Sequence, residues 1–399
     1  MTRFAQDRAL TVFIVAGEES GDQLGAGLMR ALIARLDGKV QFLGVGGARM
    51  QALGLDSIFP MHEVSLHGVS AIIRNIGRII RRQRQVARAV LAAQPDVFIA
   101  VDLPGFNLGV ARRVRKIDPS IATVQYVSPS VWAYRPGRAR FMAGFIDRIL
   151  AILPFEPEVH RRLGGPPCTY VGHLLIEHLD KLRPAPSERQ PIETADPPTL
   201  LVLPGSRRTE IGRLLAPFGE TVARVAATHG PLEIVLPAVP HLRDEIEREV
   251  ARWPVKPMIV QGEEEKLAAF RRAHAALVAS GTVTLELALS GVPMVVAYRI
   301  DMLLKWIKLV FQAKSIVLSN LVLGESVIPE FIDKDSSPEQ LAAALAPLLR
   351  ASPERARQLA AFERLDDLMT LGGTTPNTRA AEVVLETIAE RQRRLETGT

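Results

Sequence analysis

Cysteine is almost missing from these 399 residues: Cys168 stands alone. That excludes an internal disulfide and any cysteine-based zinc site, and it suits a reducing compartment. Aromatic residues are scarce at 5%, and no window approaches the roughly 18 unbroken apolar residues of a membrane span. No Gly-x-Ser-x-Gly elbow and no Gly-x4-Gly-Lys-Ser/Thr loop occurs, so serine-hydrolase and P-loop chemistry find no motif. The 8 histidines form no zinc spacing. Asp333-Lys-Asp335 stands before Ser336-Ser337-Pro338 and reads as helix capping rather than as a metal ligand pair. The expectation is therefore no metal and no cofactor. The first apolar run, Leu10–Ala16, is too short for a signal-peptide core and ends in Gly17-Glu18-Glu19; it reads as a strand, and a cytoplasmic location is expected.

What is present is an α/β pattern. Hydrophobic residues make up 47% of the chain, and its length suggests two domains. Short apolar strands at Leu10–Ala16, Val40–Val45, Pro95–Val101, Ile121–Val127 and Arg148–Leu153 alternate with helical stretches. This is the signature of a parallel sheet covered on both faces. Residues 183–198 hold five prolines and little apolar content and read as a linker. The rhythm restarts at Thr199–Leu203, and from Pro338 the chain reads as helices. The expected architecture is two doubly wound lobes facing each other across a cleft, with a helical C-terminal tail: 1–182, the linker, 199–370 and 371–399.

Ligands of such sheets bind beyond the carboxyl ends of the strands. In the rear half, Leu200–Leu203 breaks at Pro204-Gly205 and restarts as a helix carrying Ser206, Arg207 and Arg208. A helix N-terminus with an adjacent guanidinium is a seat for a diphosphate. Ser280-Gly281-Thr282 offers a second such corner, with Glu286 one turn on, within reach of ribose hydroxyls. In the front half, Asp102 ends a buried strand. It reads equally as a desolvated general base or as the cap of a helix starting at Pro104.

The formal charge is +6 and the pI about 9.6, which suggests an anionic partner. Between Ile72 and Arg88, Ile72, Ile73, Ile76, Ile79 and Ile80 share one helical face. Arg74, Arg78, Arg81 and three further arginines occupy the rest, with no acid. Such a basic amphipathic helix suits an anionic lipid surface, with packing of the isoleucines on the front lobe as the competing reading. Met302–Phe311 reads equally as core or as surface-inserting. Isoleucine rather than an aromatic accompanies the arginines, which argues against nucleic acid.

Taken in order, Ala16-Gly-Glu-Glu-Ser-Gly-Asp22, Gly44-Val-Gly-Gly47, Ser128-Pro-Ser-Val-Trp-Ala-Tyr134, Leu153-Pro-Phe-Glu-Pro157, Leu203-Pro-Gly-Ser-Arg207, Ser280-Gly-Thr282 and Leu318-Ser-Asn-Leu321 with Ile328-Pro-Glu330 resemble the lipid-A-disaccharide synthase family. The resemblance runs from about Val12 to Glu330 and more loosely to the C-terminus. It implies a GT-B fold of two Rossmann-like lobes and an inverting, metal-independent glycosyltransferase. The implied substrates are UDP-2,3-diacylglucosamine and 2,3-diacylglucosamine 1-phosphate (lipid X), and the products a β-1,6 disaccharide and UDP. It further implies a peripheral place on the cytoplasmic face of the inner membrane and homodimers with exchanged C-terminal segments.

Residue by residue, the resemblance implies Asp102 as the base and Arg207 as the group that neutralises the departing diphosphate. Ser206, Ser280, Gly281, Thr282, Glu286, Asn320 and Glu330 fall to the nucleotide side. Gly17, Glu19, Ser20, Asp22 and Asn107 fall to the sugar or acceptor. Where the family usually carries a second acid after Asp102, this chain has Gly105. Two alternatives remain open: another GT-B enzyme with a UDP-N-acetylglucosamine-type donor, and a non-catalytic two-lobed sugar-nucleotide binder.

Overall fold

Continuous apolar runs become parallel strands because both of their faces must be covered. In the computed structural model, which describes residues 8–64, 75–299 and 313–397, thirteen strands, β1 to β13, form two sheets. The first contains β1 (Leu10–Val15), β2 (Val40–Val45), β3 (Asp56–Ser57), β4 (Val97–Val101), β5 (Ala122–Tyr126), β6 (Arg148–Ala151) and β7 (Cys168–Tyr170) in the order β3-β2-β1-β4-β5-β6-β7. The second contains β8 (Thr199–Leu203), β9 (Glu233–Ala238), β10 (Met258–Gln261), β11 (Ala275–Ala279), β12 (Met294–Tyr298) and β13 (Glu330–Ile332) in the order β10-β9-β8-β11-β12-β13. Every pairing is parallel. Strand order reverses between β1 and β4 and between β8 and β11, which marks the crevice where such sheets hold ligands.

The two faces of the first sheet are read directly from β1. Val12 and Ile14 enter one core cluster, while Phe13 and Val15 enter another on the opposite face, as the two-residue period of a strand requires. Ile14 pairs with Gly44, whose φ is +142°; a Cβ there would lie 1.8 Å from the Ile14 carbonyl oxygen. Glycine is required by that approach.

Contacts divide the chain into Met1–Glu177 with Leu371–Thr399, and His178–Thr370. The first unit therefore recovers the C-terminal tail. Ala380, Ala381, Val383, Val384 and Ile388 of the helix Pro376–Thr397 enter the same cluster as Val12 and Ile14. Residues 183–198, read as a linker, lie within the second unit and are anchored to it. The half-buried Arg189 guanidinium donates to four backbone carbonyls, those of Phe270 (2.9 Å), Arg271 (2.9 Å), Ser290 (2.8 Å) and Gly291 (2.7 Å). These carbonyls lie at the C-terminal ends of the helices Glu263–Arg272 and Val283–Leu289, where a cation is also favoured by the helix dipole. Burial and the neighbouring Arg355 charge pull the Arg189 pKa down to about 10, so it stays charged at neutral pH.

Ile72, Ile73 and Arg74, and the Met302–Phe311 stretch, lie outside the described residues. The basic helix is described over Ile76–Ala93. Gln83, Val86, Ala87 and Val90 are its buried face and Ile79 packs against the core, so Ile79 belongs to the packing reading. Ile76 is 55% exposed, Ile80 is half-buried, and Arg78 and Arg81 face solvent.

Candidate active site

In the first unit the carboxyl ends of β1, β4 and β5 carry Gly17-Glu18, Asp102 and Val127-Ser128. Asp102 (φ +48°) and Leu103 (φ +46°) are consecutive non-glycine residues in the left-handed region, at a cost of roughly 1–2 kcal/mol each. Strain of this kind persists where the surroundings over-determine it, and it clusters at functional sites. Leu103 rather than Asp102 is the N-cap of the helix Pro104–Ile117, and no side chain caps it. The capping alternative for Asp102 thus falls away. Burial raises the Asp102 carboxyl above its ordinary range; the Leu103 amide opposes the shift and the Glu18 charge adds to it. A half-buried acid that is reluctant to ionise and is not used as a cap has the chemistry of a general base. Gly105 is exposed, with open space around the position of a Cβ.

The other front-half candidates take different jobs. Asp22 is 1% exposed and accepts from the amides of Gly47 (2.8 Å), Arg49 (3.0 Å) and Met50 (3.2 Å). It thereby caps the helix Ala48–Gln51 instead of facing a ligand. Asn107 is wholly buried, and its amide donates to the carbonyls of Val15, Val101 and Asp102, so it holds strand ends rather than a sugar. Gly17 is buried because Leu103 packs over it; a Cβ would lie 2.4 Å from Leu103 Cδ2. Ser20 is exposed, and Glu19 is exposed and paired with Arg49 at 2.9 Å.

Behind this edge two of the quoted stretches, Ser128–Tyr134 and Leu153–Pro157, meet His160 in a buried polar cluster to which the sequence analysis gave no role. Ser128 Oγ is 2.8 Å from His160 Nε2. Glu156 accepts from Leu153 N (3.1 Å) and Trp132 Nε1 (3.3 Å). Burial drives the His160 pKa down to about 4 and that of Glu156 up to about 8, so both are neutral near pH 7.

In the second unit a cavity of about 610 Å³ opens at the β8/β11 switch point. Ser206, Arg207, Ser280, Gly281, Thr282 and Glu286 all line it, together with Lys266. The structure thus brings the two predicted corners to one place. Lys266 lies 2.9 Å from Glu286 and 3.3 Å from Glu263. Burial opposes the Lys266 charge, but the two carboxylates outweigh it and raise its pKa. Lys266 escaped the sequence reading because Glu263-Glu-Glu-Lys266 looks like a solvated charge run.

The first corner is closed on itself. Glu210 accepts from the amides of Ser206 (3.1 Å) and Arg207 (3.3 Å) and pairs with the Arg207 guanidinium at 2.7 Å. Gly205 has φ +111°, and a Cβ there would strike Glu210. Arg207 nonetheless keeps a 70% exposed side chain. Ser280 Oγ donates to the Ile316 carbonyl at 2.7 Å. Asn320 and Glu330 are not among the residues lining this cavity. Asn320 is 2% exposed. Its amide donates to Ile328 O (2.9 Å) and Glu330 Oε1 (2.7 Å), and its oxygen accepts from Val327 N and Ile328 N. Glu330 also accepts from Ser315 Oγ and Ile316 N. Both side chains shape the 315–330 loop, since their hydrogen bonds are spent on it.

Among solved structures, the chain is similar to a glycosyltransferase of kitacinnamycin (TM-score 0.61, 18% identity, covering 96% of this chain and 100% of that one). It is also similar to a UDP-GlcNAc 2-epimerase from Neisseria meningitidis bound to UDP-GlcNAc (TM-score 0.57, 12% identity, 96% and 99% covered). These likenesses make the fold GT-B. By sequence, the chain is 56% identical over 378 residues to a lipid-A-disaccharide synthase from Rhodopseudomonas palustris, covering 94% of this chain and 96% of that protein. Identity to a lipid-A-disaccharide synthase from Bradyrhizobium diazoefficiens is 50% over 389 residues, covering 97% and 99%. The lipid-A-disaccharide synthetase family model matches residues 12–384, and with relatives this similar over nearly its whole length, the chain belongs to that family of glycosyltransferases.

Proposed function

We propose that this protein joins UDP-2,3-diacylglucosamine to lipid X by inverting transfer, releasing UDP, on the cytoplasmic face of the inner membrane. In the reaction an acceptor hydroxyl oxygen bonds to the anomeric carbon, the anomeric carbon–diphosphate bond breaks, and the hydroxyl proton passes to Asp102. Negative charge collects on the departing diphosphate. The backbone amides at Gly281 and Thr282 and the Arg207 guanidinium would meet that charge, a role supported by their lining one cavity. Glu286 would take ribose hydroxyls, and a bound nucleotide would draw Arg207 away from Glu210. Glu19 and Ser20, exposed beyond β1, are left as the acceptor-side contacts.

The observation that carries the proposal is Asp102: a desolvated acid at a strand-end switch point, held in a strained backbone and spared from capping. The test is UDP release from the two named substrates, with and without a chelator, for wild type and Asp102→Asn. Turnover is expected to be unaffected by chelator and to fall by about 10²-fold or more in the variant. Near-normal turnover of Asp102→Asn removes Asp102 from the chemistry. Because the proton acceptor must be ionised, kcat should fall as pH drops through the raised Asp102 pKa.

A further inference from the structure

Two buried amide side chains converge on one backbone atom. Asn107 Nδ2 lies 2.9 Å from the Asp102 carbonyl oxygen and Gln125 Nε2 lies 3.2 Å from it. Asn107 also donates to the carbonyls of Val15 and Val101, and Gln125 to those of Tyr126 and Val127. The pair thus laces the carboxyl ends of β1, β4 and β5, with the Asp102 oxygen as the atom they share. On its other side the Asp102 amide donates to the Tyr126 carbonyl at 2.8 Å, and Leu103 is fixed by the amides of Phe106 and Asn107, each 3.0 Å from its oxygen.

Both side chains are wholly buried. Among the described residues, neither Asn107 Oδ1 nor Gln125 Oε1 has a hydrogen-bond partner. A buried amide left half satisfied is costly, and an apolar residue would fill the same space without that cost. Their retained function is donation, and the recipient they have in common belongs to the residue with the strained backbone.

We propose that Gln125 and Asn107 are positioning residues for Asp102: together they hold residues 102 and 103 in the left-handed conformation that keeps the Asp102 carboxylate at the strand end. The inference rests on the reading of Asp102 as the proton acceptor. Gln125 is the informative half of the pair, since it belongs to β5 and its hydrogen bonds go to the backbone carbonyls of Asp102, Tyr126 and Val127.

The experiment compares wild type, Gln125→Met, Asp102→Asn and the double variant, with kcat, KM for the donor and the pH dependence of kcat measured for each. Methionine keeps the length of the side chain and removes its donor. Gln125→Met is expected to lower kcat about tenfold with donor KM unchanged, since a displaced catalytic group loses rate before binding. It should also move the acid limb of kcat to lower pH, because a carboxylate released toward solvent and away from Glu18 regains an ordinary pKa. In the Asp102→Asn background the same substitution should change nothing further. Thermal unfolding and UDP binding verify that each variant is folded. If Gln125→Met does not fold, Gln125→Asn, which keeps the donor but shortens its reach, carries the same expectations.

A folded Gln125 variant with an unmoved acid limb, or a full additional loss in the Asp102→Asn background, overturns the proposal. Near-normal turnover of Asp102→Asn alone defeats the underlying reading of Asp102, a distinguishable outcome.

Discussion

Glu156 shows how far a single carboxyl can depart from its surface behaviour. It is 2% exposed, it lies beside neutral donors, and burial moves its pKa from 4.5 to about 8. The folded state therefore holds a proton that the unfolded chain releases. For a pKa raised on folding, stability is full below the unfolded value and declines as pH climbs toward the folded one. Wild type should lose a few kcal/mol of unfolding free energy, about one for each pH unit, between roughly pH 5 and 8 from this residue. Glu156→Gln keeps an acceptor for Leu153 N and Trp132 Nε1 without the titration. Its urea midpoint should match wild type near pH 5 and exceed it near pH 9. Equal midpoints at both pH values would mean that Glu156 is not protonated in the fold. Among single residues, Asp102 was legible because an acid ending an apolar strand stands out. Gln125 stands inside the apolar run Ala122–Tyr126, a polar residue in a buried strand. Its partner is a backbone oxygen at residue 102, and no local pattern reveals a contact across 23 positions.

At the scale of elements, the central strands were legible because burial on both faces imposes unbroken apolar runs. Three of the edge strands were not, whereas the fourth, β10, reads as a strand at Pro257–Val260. β3 spans 2 residues and β7 and β13 span 3 each; they pair on one side and need no such run. The proline-rich stretch 183–198 misled for a related reason: prolines mark the absence of helix and strand, not the absence of anchorage. Arg189 replaces the missing ladder with four bonds to helix ends. Those same helices, Glu263–Arg272 and Val283–Leu289, begin at the cavity around Lys266 and Glu286, so one cation steadies both from the far side. Arg189→Met should remove the guanidinium donor from four carbonyls and cost about 2–4 kcal/mol in chemical unfolding. It should also weaken UDP binding. A loss below about 0.5 kcal/mol, the size typical of surface substitutions, would show that the segment is not held by this residue.

For the molecule as a whole, no described helix is long and apolar enough to cross a membrane, while the net charge is +6. The helix Ile76–Ala93 carries part of that charge, with Arg78, Arg81, Arg84 and Arg88 exposed along it and Ile76 exposed at its start. Each arginine near an anionic bilayer contributes about 1 kcal/mol, screened by salt. Sedimentation with vesicles containing an anionic lipid should retain the protein at low ionic strength and release it as salt rises. Ile76→Glu should weaken retention several-fold, whereas equal retention would turn attention away from this helix. The two-lobed architecture was legible because its rhythm restarts after residue 198. The return of the tail to the first unit was not, since helix periodicity states which face is apolar but not which sheet receives it.

That return governs the order of assembly. During synthesis His178–Thr370 has every residue it needs before the first unit does, because the first sheet waits for Ala380 to Ile388 to close one of its faces. The part made first is finished last. A nascent chain stalled short of this helix would leave a bare patch of Val124, Tyr126, Leu150 and their neighbours open to solvent, the kind of surface that chaperones hold and proteases find.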